Sequence, residues 1–152
     1  MDIVQLRQRH YIDFMKSMHI ENYLDDQFTQ LQKLADESSP DFVYEVVTLF
    51  FQDSEKLIDN LSKALEQPVV DFSQVANHAH QFKGSSSSIG AHRVKNQCVK
   101  FRAYCEENNL EGCLNCLQEL QQEYIVLKSK FEYLFELEQE ILKNGGTIPT
   151  MD

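Results

Sequence analysis

Two histidines stand two residues apart, His78 and His80, and only one of them is placed to do chemistry in solvent. On a helix advancing about 100° per residue, Val75, Ala79, Phe82, Ser86 and Ile89 fall on one stripe. His80 lies about 140° from the centre of that stripe and faces water, whereas His78 sits at its edge. A neutral imidazole is an effective nucleophile near neutral pH without an added base. Once phosphorylated it keeps a high transfer potential, so the group can move on. Lys83 lies one turn further along, where its ammonium can steady anionic phosphoryl oxygens. The amide of Gln81 and the hydroxyls of Ser85, Ser86, Ser87 and Ser88 are further candidate donors.

The neighbours of His80 are small. Ala76, Lys83, Gly84, Ser87 and Ala91 fall within about 60° of it, where a solvated helix face ordinarily carries Glu, Gln, Lys and Arg. Gly84 is the most informative, because a glycine inside a helix costs about 1 kcal/mol relative to alanine. It stands one turn after His80, where a larger side chain would crowd the ring. Charge points the same way. From Phe72 to Cys105 there are 34 residues without one Asp or Glu, and they include Lys83, Arg93, Lys95, Lys100 and Arg102. A lone histidine on a helix is ordinarily just solvated. The glycine and the acid-free stretch instead favour a site that meets an anionic reactant on another molecule.

These residues need helices to hold them. Ile3, Leu6, Tyr11, Phe14, Met15 and Met18 recur at helical spacing, and a second short helix is expected to carry Leu24, Phe28, Leu31 and Leu34. Ser39 is a candidate cap for a third helix, with Pro40 at its first position, running to about Glu66. Asp71 with Gln74 resembles a capping box opening the helix that bears His80, and Gly90 marks its stop or kink. A fifth helix is expected to about Asn108. The last begins near Leu110 and carries Leu117, Leu120, Tyr124, Leu127, Phe131, Leu134 and Leu137 at steps of three and four. No segment alternates with period two. The expected fold is all-α, an up-down four-helix bundle with two additional N-terminal helices, over residues 1–143, followed by a flexible tail at 144–152.

The chain has 152 residues, enough for one domain with a real core. No apolar run approaches the ~20 residues that cross a bilayer, and the first residues lack a basic, apolar secretory leader. A soluble intracellular protein is the expectation. The net charge of −10 argues against a nucleic-acid or anionic-membrane surface. Cys98 and Cys105 continue a buried stripe with Val94 and Phe101. Cys113 and Cys116 have a metal-compatible spacing with only His92 near, so structural thiols are the preferred reading and no metal is expected.

The run His80-Gln-Phe-Lys-Gly-Ser-Ser-Ser-Ser-Ile-Gly-Ala91 closely resembles the signature of plant histidine-containing phosphotransfer proteins. Leu24-Asp-Asp-Gln-Phe28, Gln30-Leu-Gln32, Phe42-Val43, Glu45-Val-Val47, Leu49-Phe-Phe51, Phe101-Arg102 and Cys105-Glu-Glu-Asn108 are also similar to that family, so the resemblance covers nearly the whole chain. It implies His80 as phospho-acceptor, with Gln81, Lys83, Gly84 and Ser87 as its supporting and docking set. It implies that the phosphoryl group comes from an aspartate in the receiver domain of a hybrid sensor histidine kinase and passes to an aspartate in a response regulator. Cytokinin signalling and movement between cytoplasm and nucleus are implied with it, and a monomer suits a shuttle that must dock two partners through one face. The chain needs no cofactor of its own, because Mg²⁺ and catalytic acids would come from the receiver. Some family members lack the histidine and act as inhibitors; this chain keeps it.

Two other classes remain open at this point. One is a helical adaptor that binds partners without chemistry, using Leu24, Phe28 and Leu31, which could equally cap the core. The other is a metalloprotein built on Cys113, Cys116 and His92.

Overall fold

Helical spacing of apolar residues produces six helices in the computed structural model, which describes residues 2–35 and 38–150. They are α1 (Ile3–Ile20), α2 (Asp26–Lys33), α3 (Phe42–Leu65), α4 (Phe72–Ile89), α5 (His92–Glu106) and α6 (Leu110–Lys143). Among the described residues there is no strand. Helices α3, α4, α5 and α6 close a ring, each packed on the next and α6 back on α3. That ring is the up-down four-helix bundle. The N-terminal helices lie outside it, α1 along α6 and α2 against α4.

The core is one continuous cluster rich in rings. Phe131 of α6 lies at its centre, 5.4 Å from Phe28 and 5.7 Å from Phe51 between ring centroids. Phe50 of α3 reaches Phe82 of α4 at 6.3 Å. Fully burying a phenylalanine contributes about 2–3 kcal/mol, so the underside of α4 is held firmly while its upper face stays free. Leu24, Phe28 and Leu31 belong to this core, with Phe28 wholly buried. Their place is packing rather than docking. Leu34, expected on the same apolar face, is 66% exposed at the C-cap of α2.

Local chemistry sets the helix ends. Asp2, Asp25 and Asp71 each accept backbone N–H groups of the first turn, as a capping carboxylate should. Asn109 caps α6 through the Gly112 N–H at 2.9 Å. Three expected boundaries move. Leu24 precedes α2, because Asp25 takes the capping position. Helix α3 starts at Phe42 rather than Pro40; residues 38–41 form a turn in which the Phe42 N–H donates to the Ser39 carbonyl. Helix α5 ends at Glu106, where Asn108 adopts φ +52°. Of the tail expected at 144–152, residues 151–152 lie outside the described residues. Ahead of them, Gln8 donates to the Thr147 carbonyl at 2.8 Å and Ile148 packs against the core.

Gly90 joins α4 to the rest of the molecule. Its φ of +78° ends the helix in a left-handed turn. Its carbonyl accepts the Asp25 N–H at 3.0 Å, while the His92 N–H donates to the Tyr23 carbonyl at 3.2 Å. A methyl group at Gly90 would stand 2.5 Å from the Phe28 backbone nitrogen. Gly90→Ala must therefore combine left-handed strain with a backbone overlap. A loss of about 2–4 kcal/mol is expected, read as an earlier midpoint in urea unfolding.

At the other end of α6, burial of the half-buried Glu138 lifts its carboxyl to about 7. Below the unfolded pKa near 4.5 both states hold the proton and the group is neutral in the balance. As pH rises towards 7 the unfolded chain ionises first, so stability falls, and the loss is complete above 7. Glu138→Gln is expected to raise the melting temperature by several degrees at pH 8 and by clearly less at pH 5. Equal shifts at both pH values would show that ionisation is not the cause.

Candidate functional site

The buried stripe expected on α4 is the one observed: Val75, Ala79, Phe82, Ser86 and Ile89 are its buried residues. The opposite face therefore carries His80 into solvent, and its imidazole makes no hydrogen bond within the described structure. The ring is exposed, so it can meet a reactant from solvent. His78 is half-buried, with its Nδ1 enclosed and unpartnered, which separates the two histidines as the helix geometry required.

Gly84 is exposed, and a Cβ added there would meet nothing within 4 Å. Neither a close approach nor a positive φ inside the molecule demands this glycine. Lys83 is half-buried and enters no ion pair among the described residues. Its charge acts to lower the Cys98 thiol of α5, against the larger effect of burial. Gln81 is exposed beside His80 and makes no hydrogen bond among the described residues.

The serines divide. Ser85 and Ser86 donate back to the Phe82 carbonyl at 3.1 and 2.7 Å, and Ser88 donates to the Ser85 carbonyl at 2.7 Å. Those three hydroxyls are committed to their own helix. Of the four, the Ser87 hydroxyl makes no hydrogen bond among the described residues. It stands two turns beyond His80, about 10 Å along the axis, so it borders the site rather than touching the reacting atoms. Ala91, expected on the open face, is fully buried. The helix has ended by then, and Ala91 is the first residue of the clasp that leads into α5.

The acid-free stretch spans all of α4 and α5 as far as Cys105, so it forms one face of the bundle. One of its five cations is used internally. Arg93 donates to Glu123 at 2.7 Å and lies 4.2 Å over the Tyr23 ring. Lys83, Lys95, Lys100 and Arg102 enter no ion pair among the described residues. Lys100 lies with Glu107 and Glu119 on the α5–α6 side, whereas Lys83 stands one turn from His80 on α4, where a positive charge suits an anionic phosphoryl donor.

The cysteines do something else. Cys105 and Cys113 face each other at 3.8 Å between sulfurs, in the last turn of α5 and the first of α6. Cys116 donates to the Gln97 carbonyl at 3.3 Å. Burial pushes the Cys98, Cys105 and Cys116 thiols up to about 12, so they behave as packed hydrophobes. His92 lies on the first turn of α5, 3.5 Å from Asp25 and about 20 Å from Cys105 by helical rise. The fold does not bring Cys113, Cys116 and His92 together.

The family model for the Hpt domain matches residues 45–130, a span that begins in α3, takes in α4 and α5, and ends in α6. The chain belongs to the Hpt family. Histidine-containing phosphotransfer protein 1 of Arabidopsis thaliana is 56% identical over 152 residues, covering 100% of this chain and 98% of its own length. The crystal structure of histidine-containing phosphotransfer protein MtHPt2 from Medicago truncatula superposes with a TM-score of 0.88 at 57% identity, covering 97% and 98% of the two chains. The Hpt chain thus has both the helical bundle and the role in two-component phosphotransfer that define this family. A pseudo histidine-containing phosphotransfer protein of Oryza sativa is also 44% identical over 134 residues, 88% of this chain and 89% of its own. Relatives named as pseudo histidine-containing phosphotransfer proteins are thus also similar to this chain over most of its length.

What sequence reasoning missed is the clasp. Tyr23, Asp25, Gly90 and His92 tie the turn after α4 to the loop before α2, and Gln27 reaches the Ser88 carbonyl at 3.4 Å. The glycine was visible in the sequence; its partner some sixty residues away was not.

Proposed function

We propose that this Hpt protein is an active phosphoryl carrier with His80 as its acceptor. A ring nitrogen of His80 attacks the phosphorus of an aspartyl phosphate in a receiver domain. The N–P bond forms as the P–O bond to the aspartate breaks, and the free carboxylate stays with the receiver. Transfer to a response regulator runs the same steps in reverse. The observation that carries this reading is an exposed imidazole with no hydrogen bond among the described residues, one turn from Lys83 and Gly84.

Lys83 steadies the phosphoryl oxygens from the adjacent turn, Gln81 borders the ring, and Gly84 and Ser87 leave room for the partner. Mg²⁺ and the acids around the aspartate belong to the receiver, so the chain is a carrier rather than an independent catalyst. The donor in this reading is the receiver of a hybrid sensor histidine kinase in a plant cytokinin relay, with a monomeric carrier acting in cytoplasm and nucleus. These finer points rest on the family resemblance.

The experiment is phosphotransfer from a radiolabelled receiver domain. Label should appear on this chain, be lost in acid and survive alkali, as phosphohistidine does. A chain that binds the receiver yet takes no label would be a non-catalytic helical adaptor instead.

A further inference from the structure

The far end of the bundle carries a groove of about 1070 Å³ between α1, the start of α3 and the last turns of α6. Tyr44, Tyr133, Phe135 and Leu142 form its apolar surface. Tyr44 is 54% exposed and Tyr133 47% exposed, so both rings are open to a partner. Tyr44 stands edge-on to Phe135 at 5.0 Å and Tyr133 edge-on to Phe14 at 4.7 Å, so neighbouring rings hold both tyrosines in place.

Around these rings stand Asp41, Glu45, Glu132, Glu136, Glu138 and Glu140, and none of the six enters an ion pair among the described residues. Arg7 is the one full cation in the lining, with His10 beside it. Like charges gathered without counter-ions repel one another, so the groove favours something positive. A single metal ion does not fit, since no group of three ligating side chains converges among the described residues. Glu132, Glu136 and Glu140 instead form a row at four-residue intervals, about 6 Å apart along α6. An extended peptide presents alternate side chains on one face about 6.6 Å apart. The two spacings match. Guanidinium groups suit both partners on offer, pairing with carboxylates and stacking on tyrosine rings.

We infer that this groove is a docking site for an extended basic segment of a partner protein, with arginines at alternate positions. The site is separate from the phosphoryl site. Cys116 of α6 donates to the Gln97 carbonyl of α5, which marks the level of α6 beside the middle of the packed α4–α5 pair. Glu136 lies about 30 Å further along α6 from that level. One face of the molecule is cationic and receives an anionic reactant, and the far end is anionic and receives a cationic chain.

The test uses the full chain and a fluorescein-labelled peptide of alternating arginine and serine, followed by fluorescence anisotropy. Because a protein of net charge −10 attracts any polycation, the comparison is between two charge-matched variants. Glu132→Lys with Glu136→Lys should weaken binding about tenfold or more, and Glu106→Lys with Glu107→Lys, far from the groove, less than about threefold. Tyr44→Ala leaves the charge untouched and should still weaken binding about threefold. Equal losses from the two charge-reversal pairs would overturn the assignment, and so would full binding by a folded Tyr44→Ala protein. Should Tyr44→Ala fail to fold, the charge-reversal pairs decide alone. No phosphoryl transfer enters the measurement, so its failure leaves the carrier reading standing.

Discussion

A His80→Gln variant mixed with a phosphorylated receiver domain is expected to take up no detectable label, while the wild-type chain becomes labelled within the same assay. The effect is total because the imidazole is itself the covalent carrier. Glutamine keeps a polar side chain of similar reach but has no nucleophilic nitrogen near neutral pH. The remaining histidines are poor substitutes. His78 has one nitrogen enclosed at the core edge, and His92 is engaged with Asp25. His10 and His19 belong to α1, outside the four-helix ring, and His10 lines the far groove. Stability should barely change, since His80 is exposed and unbonded and substitutions at such positions usually stay within about 0.5 kcal/mol. Labelled His80→Gln protein with an unchanged melt would move the acceptor elsewhere. Loss of label together with a collapsed melt would leave the role of His80 open, and a receiver-binding measurement on the variant then separates docking from chemistry.

The region that mattered most was also the most legible, for a physical reason. Burial on α4 follows a single period. Val75, Ala79, Phe82, Ser86 and Ile89 are separated by three or four residues, so a wheel drawn from sequence already fixes which way His80 points. Failures came where a contact from elsewhere in the chain decides the outcome. Continuing the wheel places Ala91 on the open face, but Gly90 turns the chain first, and the loop around Asp25 covers the residue that follows. Three of the four serines looked like phosphoryl donors until their hydroxyls folded back on the helix. Leu24, Phe28 and Leu31 could dock or pack on periodicity alone; only the position of α2 against α4 settles that they pack. The acidic groove is the extreme case. Its lining comes from α1, α3 and α6, and no local window of sequence contains it.

Gly84 gives the second large prediction, and its interest is that stability and function should part company. A Cβ at this position has open space around it, so Gly84→Ala introduces no clash and removes the conformational penalty of a glycine inside a helix. The folded chain should gain about 1 kcal/mol, or about 2–4 °C in melting temperature for a chain of this size. Larger residues should fold as well, for the same reason. Yet residue 84 stands four positions after His80, where side chains on a helix lie about 6 Å apart. Gly84→Gln and Gly84→Phe then place bulk beside the ring at the point where a receiver must bring its aspartyl phosphate. Phosphoryl uptake is expected to fall about tenfold or more for these variants while their melts match or exceed the wild type. Normal transfer by a folded Gly84→Phe protein would remove the steric account of this residue. A matching fall in stability would also remove it, by showing that the glycine serves the helix after all. The expected split between the two measurements is what distinguishes a position kept clear for a partner from one shaped by the fold, because only the partner has reason to exclude a side chain that the protein itself has room to hold.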